Sequence, residues 1–208
     1  SEQRKYRDYI FGQRPVSSEL EKNINDFRSI ECQIMDWADD IAYALGDMAD
    51  GIKSGFITIS GLDKWAKGKP LEASAPSPIE KLQEAIRERT VRAFVADKIG
   101  YFIQHTFLQE RQNFLSNVSN RYKYELRVDP DARREVELYR ELSKDLIFKT
   151  PSIQQLDRKG GRIVSRLFKE LKNIYIGSII QGLLPTEVER AINNLPTDSD
   201  KVRKICDY

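Results

Sequence analysis

The stretch "SIECQIMDWADDIAYALGDMADGIK", Ser29 to Lys53, decides the fold. At about 100° per residue its side chains sort into two opposed faces. Trp37, Ile30, Met48, Ile41, Ile34, Ile52, Leu45, Ala38 and Ala49 gather on one side, a core face. Asp39, Asp50, Tyr43, Asp36, Asp47 and Asp40 fall within roughly 100° of arc on the other. The pattern predicts an amphipathic helix capped by Ser29 and running to about Lys53. Its polar face is unusual. Solvated faces normally mix acids with bases, because opposite charges four apart stabilise a helix and like charges destabilise it. No basic residue stands between Arg28 and Lys53, and Asp is a poor interior helix former. A bound cation or a basic surface would offset both costs.

Working outward, the first 17 residues read as an irregular basic arm containing "RKYR" (Arg4 to Arg7). "SELE" at Ser18 is a capping-box pattern that opens a short helix, and residues 18–66 form one helical region carrying the Asp stripe. "KGKPLEASAPSP", residues 67–78, is a linker rich in Pro, Ser and Ala. Residues 79–208 form a further helical region. Leu82, Ile86, Val91, Phe94, Val95, Ile99, Phe102 and Ile103 recur at steps of three and four, which predicts one long helix from Ile79 to about Val118. Further helices are expected at about 131–148, 152–173 and 186–193, and "KVRKICDY" reads as a helix start. "RKGGR", Arg158 to Arg162, reads as a helix break or tight packing site, with an effector-nucleotide contact as the alternative. No segment alternates with the period of a strand. The class is all-α, a multi-helix bundle with a further helical subdomain.

The 208 residues carry a net charge of +2, but unevenly. Residues 18–63 hold ten acids and three bases, and residues 121–172 hold fourteen bases and nine acids. The split predicts two surfaces with different partners. The interspersed acids do not support a nucleic-acid partner for the basic region. No apolar run is long enough for a membrane span. Two widely separated cysteines, Cys32 and Cys206, fit a reducing, cytoplasmic setting. The single histidine, His105, sits among aromatics and is expected in the core or a subunit contact, as are Tyr101, Phe102, Phe107 and Phe114.

"ECQIMDWADDIAYALGDMAD", Glu31 to Asp50, resembles "EAQxMDWADDIAYxxHDxED", the pattern of the HD-domain deoxynucleoside triphosphate triphosphohydrolases, the dGTPase-like family. "LRVDPDARREVELYRELSKDLIF", "GGRIVSRLFKEL" and the final "KICDY" resemble later family segments. The resemblance implies an HD-domain-like bundle that hydrolyses a deoxynucleoside triphosphate to deoxynucleoside and triphosphate. It makes Asp39 the last ligand of an H…HD…D site for a divalent metal, magnesium, manganese or similar. There the metal would polarise the α-phosphate and orient water. It makes Tyr43 and Asp47, four and eight residues on, contacts to the substrate. It implies a homo-oligomer. Asp36 and Asp40 match the pattern without an assigned role.

The sequence departs from the family at three places. No His-Asp pair exists in the chain, so the remaining metal ligands are expected outside it. Gly46 stands where the family has His, leaving room for a ligand or a neighbouring helix, or marking drift; Ala49 stands where an acid is common. The chain therefore reads as the C-terminal part of a longer enzyme, inactive by itself. The alternative is a non-catalytic module for oligomerisation or nucleotide sensing.

Overall fold

The computed structural model describes residues 28–68, 77–112, 120–177 and 182–208. The basic arm, the Ser18 helix and most of the linker lie outside them. The chain divides into two compact units, Ser1–Phe148 and Lys149–Tyr208.

In the first unit, the Asp-bearing segment is helix α1, Ile30–Lys53, and the Ser29 hydroxyl accepts from the Cys32 amide at its start. Trp37, Ile41, Ala44, Leu45 and Met48 are buried. Burial of each large side chain in this row contributes about 1.5–3 kcal/mol, enough to outweigh the poor helix propensity of the aspartates. Ile34 and Met35 are exposed, so the apolar face is narrower near the N-terminus than its hydropathy predicts. The helix stops at Ser54, and Gly55 follows at φ 76°, a left-handed geometry that favours glycine. Helix α2 spans Ile59–Lys67, with Thr58 as its cap.

The long helix expected from Ile79 is two helices. Helix α3, Pro78–Arg87, opens with a full capping box between Ser77 and Glu80. Helix α4, Val91–Gln104, follows a break in which Arg89 takes a φ of 61°. Neither Gly nor Pro marks this break, so the apolar periodicity runs through it. The expected helix is also cut short after His105. Strand β1, Thr106–Glu110, pairs antiparallel with β2, Tyr124–Val128, placing Thr106 opposite Val128 and Glu110 opposite Tyr124. These strands overturn the expectation of no strand. "TFLQE" and "YELRV" are rich in the aromatic and β-branched residues that suit a pleated pair, but each is only five residues long. Helix α5, Pro130–Ser143, is capped by Asp129, and its last turn widens into a π-helical turn, Lys144–Phe148. The unit is a mainly helical, HD-like bundle in which α1 packs along α5 and against α4 and β2.

The second unit contains α6 (Pro151–Gly177), α7 (Thr186–Asn193) and α8 (Asp198–Cys206). Leu171, Tyr175, Leu184, Ile192 and Ile205 form its core. The Tyr175 hydroxyl donates to Glu189, whose carboxyl is held below the ordinary range by that bond and by the Gly182 amide. Helix α6 runs straight through Gly160 and Gly161, where added side chains would meet open space, so "RKGGR" is neither a break nor a tight packing site. "KVRKICDY" begins inside α8 rather than at its start, because Thr197 caps that helix upstream through the Asp200 amide.

Two glycines of α1 make opposite predictions. A Cβ at Gly46 would meet nothing within 4 Å. Gly46→Ala is expected to stabilise by about 0.5–1 kcal/mol, since only the entropic cost of a helical glycine is removed. A Cβ at Gly51 would run into Ile147 and lie 2.9 Å from Ile57 Cδ1. Gly51→Ala is expected to destabilise by about 1–3 kcal/mol through overpacking. Thermal melts of both variants check the pair, and a stabilised Gly51→Ala would contradict the close approach.

Candidate functional site

The exposed side of α1 and the facing side of α5 make an open groove of about 570 Å³, within the usual range for small-molecule clefts. Tyr43 and Asp47 line it from α1; Glu137, Arg140 and Glu141 line it from α5; Lys144 and Phe148 line it from the π-helical turn. Two of the three residues singled out from the sequence, Tyr43 and Asp47, are thus brought to one groove. Asp39 lies one turn before Tyr43 on the same helix face, exposed, and is not part of the lining.

The groove is partly screened from water on the α1 side. Burial raises the Asp47 carboxyl above its ordinary range, and the negative charge of Asp50 adds to the effect. A hydroxyl donor or a cation at this carboxylate would relieve both. Tyr43 is 66 % exposed, and Phe148 across the groove is 43 % exposed. Two partly exposed aromatic rings in one groove offer flat apolar surface to a ligand ring.

Two other aspartates of the stripe already have partners. Asp40 Oδ1 accepts from Arg140 Nη1 at 2.9 Å, and Asp36 accepts from Arg28. Glu31, at the head of the same helix, pairs with Arg121 Nε at 3.1 Å. The charge split of the sequence is therefore satisfied in part within the unit: basic residues of 121–172 neutralise the acidic helix.

His105 caps α4. Its Nδ1 lies 2.8 Å from the Tyr101 carbonyl, and its ring packs on the Tyr101 ring. Phe102 is fully buried, as expected, whereas Phe107 is exposed on β1, and Phe114 lies outside the described residues. Among the described residues no three His, Cys, Asp or Glu side chains converge to hold a metal ion. One exposed carboxylate, Asp39, is too few donors for a hard divalent cation, which takes about six oxygen ligands. The described residues do not by themselves fit the metal that the family resemblance implies.

Arg140, Lys144 and Phe148 were not singled out by sequence reasoning. Arg140 and Lys144 fall in the basic excess of residues 121–172, and all three lie in the family-like segment Leu126–Phe148, but both signals name a region and no residue.

A family model described as phosphohydrolase-associated domain matches residues 126–208. A deoxyguanosinetriphosphate triphosphohydrolase-like protein 2 of Deinococcus radiodurans is 27 % identical over 184 residues, covering 87 % of this chain and 40 % of that protein. A deoxyguanosinetriphosphate triphosphohydrolase-like protein of Histophilus somni is 29 % identical over 189 residues, covering 88 % and 40 %. One from Pasteurella multocida is 25 % identical over 206 residues, covering 96 % and 44 %. The match with these relatives embraces both units, and the chain is similar to dGTPase-like proteins at low identity. The chain spans about 40 % of the length of the curated relatives it matches. Among the described residues no helix is long and apolar enough to cross a membrane.

Proposed function

We propose that this chain is part of a deoxynucleoside triphosphate triphosphohydrolase and supplies one wall of its substrate groove. The observation that carries the reading is the shared groove of Tyr43 and Asp47, with Asp39 one turn away on the same helix face. In this reading the Asp47 carboxylate accepts from a deoxyribose hydroxyl, and Tyr43 packs on the sugar or lies beside the phosphates. Asp39 is one ligand of a divalent metal whose other ligands lie outside this chain. The assembly is a homo-oligomer working in the cytoplasm.

The test is made in the full-length polypeptide that carries these residues. Asp39→Ala is expected to lower metal-dependent release of triphosphate from dGTP by more than about a hundredfold, because outer partners of metal ligands alone cost 10–100-fold. Asp39 is exposed, so the melting curve should barely move. Full activity in Asp39→Ala would overturn the assignment. The present 208 residues alone are expected to bind dGTP without turnover.

A further inference from the structure

The groove has a second wall. Arg140 and Lys144 lie four residues apart, so they project from one side of α5 and its continuation. Lys144 opens the π-helical turn and Phe148 closes it. Such wide turns are rare and concentrate at functional sites, because they re-aim side chains without ending the helix. Here both ends of the turn line the groove. Arg140 is held across the interface by Asp40, at 2.9 Å, with both side chains partly exposed. An exposed pair of this kind contributes little on its own and yields to a stronger anion. Among the described residues Lys144 has no ion-pair partner, in contrast to Arg140. Glu137 and Glu141 also line the wall, so the cations are not a general anion trap; they favour a highly charged anion over a singly charged one.

We propose that Arg140 and Lys144 are the phosphate-binding side of the groove. The groove then takes a nucleoside polyphosphate lengthwise, its sugar at Asp47 and its phosphate chain at the two cations. Arg140 exchanges Asp40 for a phosphate oxygen on binding, and Phe148 covers the ligand from the same turn. The sugar position rests on the reading of Tyr43 and Asp47 above; the phosphate position stands on α5 and the π-helical turn.

Calorimetry on this chain with dGTP, deoxyguanosine and inorganic tripolyphosphate tests it. The Arg140→Gln/Lys144→Gln variant is expected to lose about tenfold or more in affinity for dGTP and for tripolyphosphate, each lost charge-assisted bond being worth that much. Its affinity for deoxyguanosine should stay within about twofold. Asp40→Asn should act in the opposite direction and tighten dGTP binding by about threefold, because it releases Arg140 from its competitor. A merely structural Asp40–Arg140 clamp predicts weaker binding in both variants, and that result overturns the proposal. So does unchanged tripolyphosphate and dGTP affinity in the double variant, or no binding of dGTP by the parent chain. Should Arg140→Gln compromise folding, Lys144→Gln and Asp40→Asn decide by the same signs. If Asp47→Asn leaves deoxyguanosine affinity unchanged while the double variant still loses tripolyphosphate, the phosphate side stands and the sugar reading falls.

Discussion

Glu135→Leu is expected to destabilise the first unit by about 3–5 kcal/mol, the usual cost of removing one partner from a buried ion pair. Glu135 lies on α5 and reaches Lys98 of α4, with Lys98 Nζ 2.5 Å from Glu135 Oε1. The two side chains are only 13 % and 10 % exposed. The Tyr139 hydroxyl donates to the same oxygen at 2.6 Å. Lys98 also sits against the rings of Phe94 and Tyr101, its nitrogen 5.8 and 5.0 Å from their centroids. With Glu135 gone, the ammonium keeps only those ring faces, and a buried hydroxyl loses its acceptor. A fall in melting temperature of roughly 10–15 °C should follow. Lys98→Met added to Glu135→Leu should restore most of the loss, since no uncompensated charge remains. A single variant costing under about 1 kcal/mol would show that the pair is solvated.

The same cluster gives the unit an alkaline limit. Burial, then the Glu135 charge and hydrogen bond, raise the Tyr139 hydroxyl far above its ordinary value of 10.0. The folded value is above the unfolded one, so the contribution is fully present below about pH 10. It is lost as pH rises beyond that, at about 1.4 kcal/mol per pH unit. Tyr139→Phe should remove that part of the slope in alkaline urea titrations.

Helix α1 was legible because local and tertiary demands coincide in it. The Ser29 cap, the apolar row from Trp37 to Met48 and the left-handed Gly55 all say the same thing at short range. The break between α3 and α4 was not, because Arg89 adopts its positive φ without any residue type that announces it. The two strands were hidden by brevity. Five residues hold little period-two signal, and the partner that stabilises Thr106–Glu110 begins only at Tyr124. The site divides in the same way. Tyr43 and Asp47 share one face of one helix, which spacing reveals. Arg140 meets Asp40 across 100 residues of chain, and Lys98 meets Glu135 across α4 and α5. No local pattern encodes those meetings. Part of the basic excess of 121–172 pairs with the acidic helix, through Arg121 and Arg140.

Trp37→Ala should be as damaging as Glu135→Leu, and it ties the legible helix to the groove. Trp37 is 7 % exposed, meets Phe102 edge to face with centroids 6.4 Å apart, and donates from Nε1 to the Phe102 carbonyl at 3.4 Å. The Arg133 guanidinium lies 5.4 Å from its ring. Truncation leaves a cavity between α1 and α4, and a cost of about 3–5 kcal/mol is expected. Trp37→Phe keeps most of the ring and loses the one long hydrogen bond, so about 1 kcal/mol or a little more is expected. The functional consequence separates the two variants. Trp37 fixes the rotation of α1 two residues before Asp39 and six before Tyr43. A cavity there frees the helix to roll, which misplaces Asp39, Tyr43 and Asp47 together. Trp37→Ala, assayed well below its lowered melting temperature, should therefore weaken dGTP binding by this chain even where it remains folded by circular dichroism. Trp37→Phe should not. Equal dGTP affinity in folded Trp37→Ala and the parent would mean that α5, through the Asp40–Arg140 pair, holds the aspartate face in place without help from the core.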